Sequence, residues 1–298
     1  MPPLRREAPW TGRSLAFLVF RQQFSELNAQ FWGGVPEELL ATRFFNQFES
    51  STDFSKALGV DAAKWKSIAN SVEEFEKKFD LHRQWSTLLT LILLTSCFER
   101  YISWIAKAAV ISDPLLSPGF PKRVDGAMLL KYGHTIPVDI KGLTTGDWSS
   151  RVSRYKELFG FAPKQLIDSI GELERIRKMR NRIAHGFGVI EDRYIPIGTA
   201  VSVKLSEERL MKWFGVANTA ADSIDRHLRE KFVGDFETIE LFNSWKTEPF
   251  ALLKQSSIDV EKRYMNTPRG FEKFLGKYVS RSPGSEYCRS LDVFYRSL

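Results

Sequence analysis

The chain has 298 residues, a formal charge of +7 at pH 7 and a pI near 9.3. Its apolar share of 43%, with 23 Phe and 8 Trp, excludes a disordered chain, and the basic balance leaves two readings open, a polyanion binder or an ordinary basic globular protein. Only two cysteines, Cys97 and Cys288, and four scattered histidines exclude a disulfide framework, give no zinc-ligand pattern and fit a reducing compartment.

Residues 14–32 have helical spacing, with Leu18, Phe24, Leu27 and Phe31 on the side to be buried. Gly33-Gly34 is expected to stop that helix and Pro36 to start another, so the segment to Leu58 reads as an aromatic-rich hairpin laid on the main body. Asp61 is placed to cap a partly exposed helix over residues 62–79, and residues 1–79 form an N-terminal helical extension. A long helix follows from Asp80 to about Ile111, burying Leu88, Leu89, Ile92, Cys97, Ile102 and Ile105 and ending at Asp113-Pro114. Its most apolar run, residues 87–98, ends at Glu99-Arg100, short of the roughly 20 residues of a membrane span. With no secretory pattern at the start either, a soluble, cytoplasmic protein is expected, with no membrane partner.

Residues 117–147 are rich in Gly, Pro and polar side chains and exceed most connections in length, so they are either functional or carry short structure of their own. His134 within them reads as a solvated loop residue. A short helix covers residues 148–159, and Gly160 and Pro163 turn the chain into the next helix, which runs to Gly186. Residues 189–205 have no helical period, and the alternation of Val201, Val203 and Leu205 predicts a small extended excursion. Ser206 caps a last long helix with Glu207 and Glu208 in its first turn; His227 on it, among Asp225, Arg226 and Arg229, reads as a surface residue. Residues 80–235 thus make one helical body. Residues 236–298 form a tail in which Lys262, Arg263, Arg269, Lys273, Lys277 and Arg281 interleave with Phe271, Phe274, Tyr278 and Tyr287. That pattern fits single-stranded nucleic acid, or short helices packing aromatic faces on the body; the second is favoured.

The stretch that commits to chemistry is RIRKMRNRIAHGFG, residues 175–188. On a helix, Leu173, Ile176, Ile183, Ala184 and Phe187 form one stripe, with Arg180 at its centre. A guanidinium buried there costs several kcal/mol, roughly as for any buried ion, unless it meets an anion. Asn181 and His185, one turn apart, share the flank of the stripe. Arg175, Arg177, Lys178, Arg180 and Arg182 put five positive charges in eight residues, more than a helix C-terminus calls for, and mark out a phosphate-rich ligand.

Arg180, Asn181, four residues between Arg180 and His185, the small Ala184 and Gly186 together resemble the HEPN superfamily over about residues 80–235. The resemblance implies an all-α, up-down helical bundle that dimerises through its motif helices. It implies a metal-independent endoribonuclease with a composite site at a homodimer interface, RNA as substrate, no cofactor and no metal. By the same resemblance the catalytic residues are Arg180, Asn181 and His185, with Glu99 on the first long helix facing Arg180 as its support and Arg175, Arg177, Lys178 and Arg182 as RNA contacts. The other reading of Glu99 is a helix-surface carboxylate paired with Arg100 or Lys107. A role as bacterial toxin or phage-defence effector follows from the family alone, as does an inhibitory or regulatory protein partner. Some members are silenced by modification of a tyrosine two residues after the motif His; here that position is Phe187, which has no hydroxyl. The alternative is a catalytically inactive RNA- or protein-binding scaffold module.

The residue types suit the reaction. Cleavage of RNA without a metal needs a base for the ribose 2′-hydroxyl, charge stabilisation at the phosphate and an acid for the leaving 5′-oxygen. Histidine serves as either acid or base near neutral pH, and arginine offers a permanent charge with a fork matched to phosphate oxygens. Residues five apart diverge by about 140° on one helix, so Arg180 and His185 of a single chain do not converge on one phosphate. A two-fold dimer apposing two motif helices removes the difficulty.

Overall fold

The computed structural model describes residues 4–61, 68–116, 124–186 and 203–298. The chain is all-α: among the described residues there are helices, short helical turns and two isolated bridges, and no strand. The helices are α1 (Leu15–Phe45), α2 (Phe54–Leu58), α3 (Val72–Ser112), α4 (Gly126–Lys131), α5 (Trp148–Phe159), α6 (Lys164–Asp168) and α7 (Ile170–Gly186). They continue with α8 (Glu207–Leu228), α9 (Phe236–Thr247), α10 (Pro249–Ser256), α11 (Pro268–Tyr278) and α12 (Ser285–Ser297). They divide into two compact units that interleave along the chain: Met1–Gln22, Phe98–Glu174 and Val216–Leu298 in the first, Gln23–Cys97 and Arg175–Gly215 in the second.

In the first unit, α1 begins under two capping side chains that accept three backbone N–H bonds. Ser14 Oγ accepts from Phe17 N at 3.0 Å, and Glu237 of α9 accepts from Leu15 N at 2.6 Å and Ala16 N at 2.9 Å. Two acidic side chains, Asp225 on Ser14 and Glu237 on the helix N–H groups, close the start of the helix. Phe20 and Tyr101 pack at 5.2 Å between centroids, and the Tyr101 hydroxyl donates to Ala221 O at 3.0 Å, tying α1, α3 and α8 together. The N-terminal segment is fastened by Arg6, whose guanidinium meets Asp125 at 3.0 Å, Ser112 Oγ at 2.7 Å and Val233 O at 2.7 Å. Gly234 has φ 52° there, and a Cβ on it would lie 2.1 Å from Arg6 O, so that only glycine fits.

In the second unit, Phe45, Phe54, Ala57, Ala69 and Val72 make a small core where the end of α1, α2 and the start of α3 meet. Asp53 caps α2 by accepting from Lys56 N at 3.1 Å, and Gly59 ends it in the left-handed region at φ 67°. Arg83 joins α3 to α1 through Glu38 at 2.7 Å and to α8 through Glu207 at 3.5 Å.

Several boundaries differ from the sequence expectation. α1 runs unbroken through Gly33, Gly34 and Pro36. Proline removes one intrahelical bond, to the carbonyl of Trp32, but Trp32 is exposed and water can meet that loss, while packing of Ala41 and Phe45 holds the far turn. The helices expected over residues 62–79 and from Asp80 are, where described, one helix, α3, that starts at Val72; residues 62–67 lie outside the described residues. An 18-residue window of α3 has mean hydropathy 1.4 and is half buried; by length and composition it could cross a membrane, a test that core helices of soluble proteins also pass. The helix expected from Pro163 is divided at Ser169, whose hydroxyl donates back to Gln165 O at 2.7 Å. Residues 124–147 do carry short structure, α4 and a turn at Lys141–Leu143. The extended excursion lies outside the described residues up to 202; beyond it, Val203 and Leu205 are buried and Lys204 between them is exposed.

Two further expectations changed or resolved. His227 is buried, 7% exposed, not a surface residue. Its Nδ1 bonds the Tyr155 hydroxyl at 2.8 Å, and Phe161 lies 4.1 Å away between ring centroids. Burial lowers its pKa, which keeps the ring neutral. Spacing on α8 explains the miss: His227 follows Ile224 by three and Ala220 by seven, both buried, so it sits on the apolar face despite its charged sequence neighbours. In the tail, Phe271, Phe274 and Tyr287 are core residues, packed with Phe242 and Trp245 of α9 or bonded to Asp235.

Candidate functional site on the motif helix

The candidate site residues of the motif all lie on α7, in the second unit. Leu173, Ile176 and Ile183 are buried, as the apolar stripe requires, but Ala184 is exposed and Phe187 lies outside the described residues. Gly186 is the last helical residue. Arg180, turned to the buried side, is half-buried, and its Nη1 donates to Asn181 Oδ1 at 3.0 Å.

Helical geometry sorts the remaining groups. Lys178, Asn181, Arg182 and His185 fall within an arc of about 100° on the side away from Ile176 and Ile183. Exposure agrees: Lys178, Arg182 and His185 are exposed and Asn181 is half-buried at the edge. His185 stands one turn after Asn181 on this face, with both cations, Lys178 and Arg182, on the turns before it. Arg175 is exposed beside the arc, and Arg177 is half-buried. Asn181 is therefore the residue that touches both sides, bonded to the inward-turned guanidinium and about 40° from the outward-turned imidazole.

Glu99 belongs to the first unit, where its carboxylate takes Arg151 Nη1 at 3.0 Å. Arg151 is 5% exposed; its Nε also donates to Gly146 O at 3.1 Å, and its guanidinium sits over the Trp148 ring at 4.9 Å. A buried cation of this kind needs its counter-ion. Arg151 was not singled out from the sequence, although the signal existed: Trp148, Val152, Tyr155 and Phe159 define the buried face of α5, and Arg151 lies on it. Of the expected alternatives for Glu99, Arg100 stacks on Trp104 at 4.4 Å.

His134 is exposed in the turn after α4. Cys97 is half-buried and Cys288 buried, and burial pushes the Cys288 thiol up to about 12, away from reactivity. Among the described residues no three His, Cys, Asp or Glu side chains are grouped to hold a metal ion. No protein-family model, curated protein or solved structure matches this chain.

Proposed function

We propose that this chain is a HEPN-like, metal-independent endoribonuclease that acts as a homodimer. The observation that carries the reading is the Arg180–Asn181 bond with exposed His185 one turn further along the same face as Asn181, on a face that also carries Lys178 and Arg182. His185 exchanges the proton, accepting it from the ribose 2′-hydroxyl or giving it to the leaving 5′-oxygen. The freed 2′-oxygen attacks phosphorus and the bond to the 5′-oxygen breaks, leaving a 2′,3′-cyclic phosphate and a 5′-hydroxyl. Arg180 supplies positive charge for the crowded phosphate, and Asn181 aims it. Lys178 and Arg182, with Arg175 and Arg177, hold the flanking phosphates.

The remaining divergence between Arg180 and His185 is met by two copies of α7 facing each other, so that one chain's guanidinium serves the other's imidazole. A cytoplasmic toxin or defence effector, held in check by a partner protein, is the setting such an activity fits. The test is product chemistry: incubation with RNA in EDTA should yield cyclic phosphate ends, and Arg180→Ala should abolish them. The second reading is a binding or scaffold module, favoured by Arg180 being half-buried and tied to its neighbour, as a purely structural pair would be.

A further inference from the structure

The chain's excess charge is not spread over its surface. Residues 175–182 carry +5 and residues 259–281 carry +3, which together more than account for the total of +7. The first stretch is the motif helix; the second has no part in the chemistry proposed above.

The second stretch is built around α11. Its inner side is fixed: Phe271, Phe274 and Leu275 are fully buried, and Gly270 is pressed so close to Tyr264 that a Cβ would lie 1.9 Å from the Tyr264 carbonyl oxygen. Its outer side presents Arg269, Lys273 and Lys277, all exposed, at successive four-residue steps that advance about 6 Å each along the axis. The helix ends at Tyr278; Ser280, at φ 54°, turns the chain beyond it, and Arg281 and Ser282 also line the same groove, whose volume is about 820 Å³. Three carboxylates also line it. Glu261 is engaged by Arg263 at 2.8 Å and Lys273 at 3.5 Å, Glu272 accepts from the Ser282 hydroxyl at 3.2 Å, and Asp259 offers its backbone oxygen to Lys277 at 2.7 Å. That last acceptor is neutral, and Lys277 has no ion-pair partner among the described residues. Arg269 lies over the Tyr264 ring, and Arg281 makes no bond to any described residue.

We infer that this groove binds the phosphate backbone of RNA, independently of the motif helix. A row of fixed, regularly spaced cations on a rigid helix face meets a polymer of regularly spaced anions, and each pairing gains by counterion release. Base stacking has no part in it. Phe271 and Phe274 are in the core, and the Tyr264 ring is covered by Lys273 at 3.8 Å and by two arginines. The interaction is therefore one of charge alone, indifferent to base identity.

The test measures binding of a fluorescent single-stranded RNA of about 20 nucleotides, a length that spans several phosphate-binding positions, to full-length protein carrying His185→Ala, so that cleavage cannot consume the probe. Adding Lys277→Glu and Arg281→Glu should weaken binding at least tenfold and lower the log–log salt slope by about 1.4, roughly 0.7 for each phosphate that is no longer neutralised. Oligo-U and oligo-A should bind alike, and inorganic polyphosphate should displace both. Unchanged affinity and slope in the folded double variant would overturn the inference, as would a strong base preference or polyphosphate binding without RNA binding. If the double variant does not fold, Arg281→Gln alone should lower the slope by about 0.7, and no change there would count equally against the groove. The two readings fail separately: unchanged RNA affinity and salt slope in the double variant overturn the groove alone, and absence of cleavage by the otherwise wild-type chain overturns the catalytic reading alone.

Discussion

Arg180 and Asn181 are bonded to each other, guanidinium Nη1 to amide Oδ1 at 3.0 Å, although an α-helix sends consecutive side chains about 100° apart. The bond draws the inward guanidinium toward the face on which His185 stands. Asn181→Ala should release it: cleavage is expected to fall by about 10- to 100-fold, as when the residue orienting a catalytic group is removed. Helicity and thermal midpoint should stay close to wild type, because the side chain is only half-buried. Wild-type cleavage in Asn181→Ala would deny it that orienting role.

A composite site makes a quantitative prediction about mixed chains. Purified protein should have about twice the 34.3 kDa chain mass by light scattering. If each site takes Arg180 from one chain and His185 from the other, inactive Arg180→Ala and inactive His185→Ala chains should together recover about a quarter of wild-type activity after exchange, since half the dimers are mixed and each holds one intact site. No recovery despite proven exchange would place both groups of a site on one chain.

Stability should depend on pH through two buried carboxyls. Burial pushes Asp235 up to about 7 and Glu237 up to about 8, from ordinary values of 3.8 and 4.5. Both folded-state values lie above the unfolded ones, so the stabilisation is complete below about pH 4 and is lost as pH rises through 7 to 8. Asp235→Asn and Glu237→Gln, which keep an acceptor for Tyr287 and for the start of α1, should flatten the fall in thermal midpoint between pH 5 and pH 9. A slope equal to wild type would contradict the burial assigned to these groups.

The fastening of the N-terminal segment can be read in one residue. Gly234→Ala puts a Cβ onto Arg6 O and strains a left-handed backbone, and should cost roughly 2 kcal/mol or more in denaturant unfolding. A cost under about 0.5 kcal/mol would mean that the segment is not held there.

What the sequence disclosed, and what it hid, follows from the range of the interactions involved. The all-helical class, α5 and the Ser206 cap of α8 were legible because spacing and capping are local; Arg209 N does donate to Ser206 Oγ, at 3.2 Å. The continuity of α1 through Gly33, Gly34 and Pro36 was not, because packing of Phe45 against Phe54 and Phe75 outweighs three weak helix formers. Arg151 was passed over and His227 misread as a surface residue because polar residues on an apolar face find partners far off in sequence, Glu99 and Tyr155. At the motif, the face shared by Asn181 and His185 was legible from spacing alone. The bond from Arg180 to Asn181 was not, since it depends on how the guanidinium turns.

The most direct measurement is cleavage of a labelled RNA by wild type and by His185→Ala, side by side and with EDTA present. Wild type should cleave and leave 2′,3′-cyclic phosphate ends, and His185→Ala, folded and with the same mass, should fall by about 10²- to 10⁴-fold, as on loss of a general acid or base. Equal cleavage by the two proteins, or none by the wild-type dimer, would contradict the account.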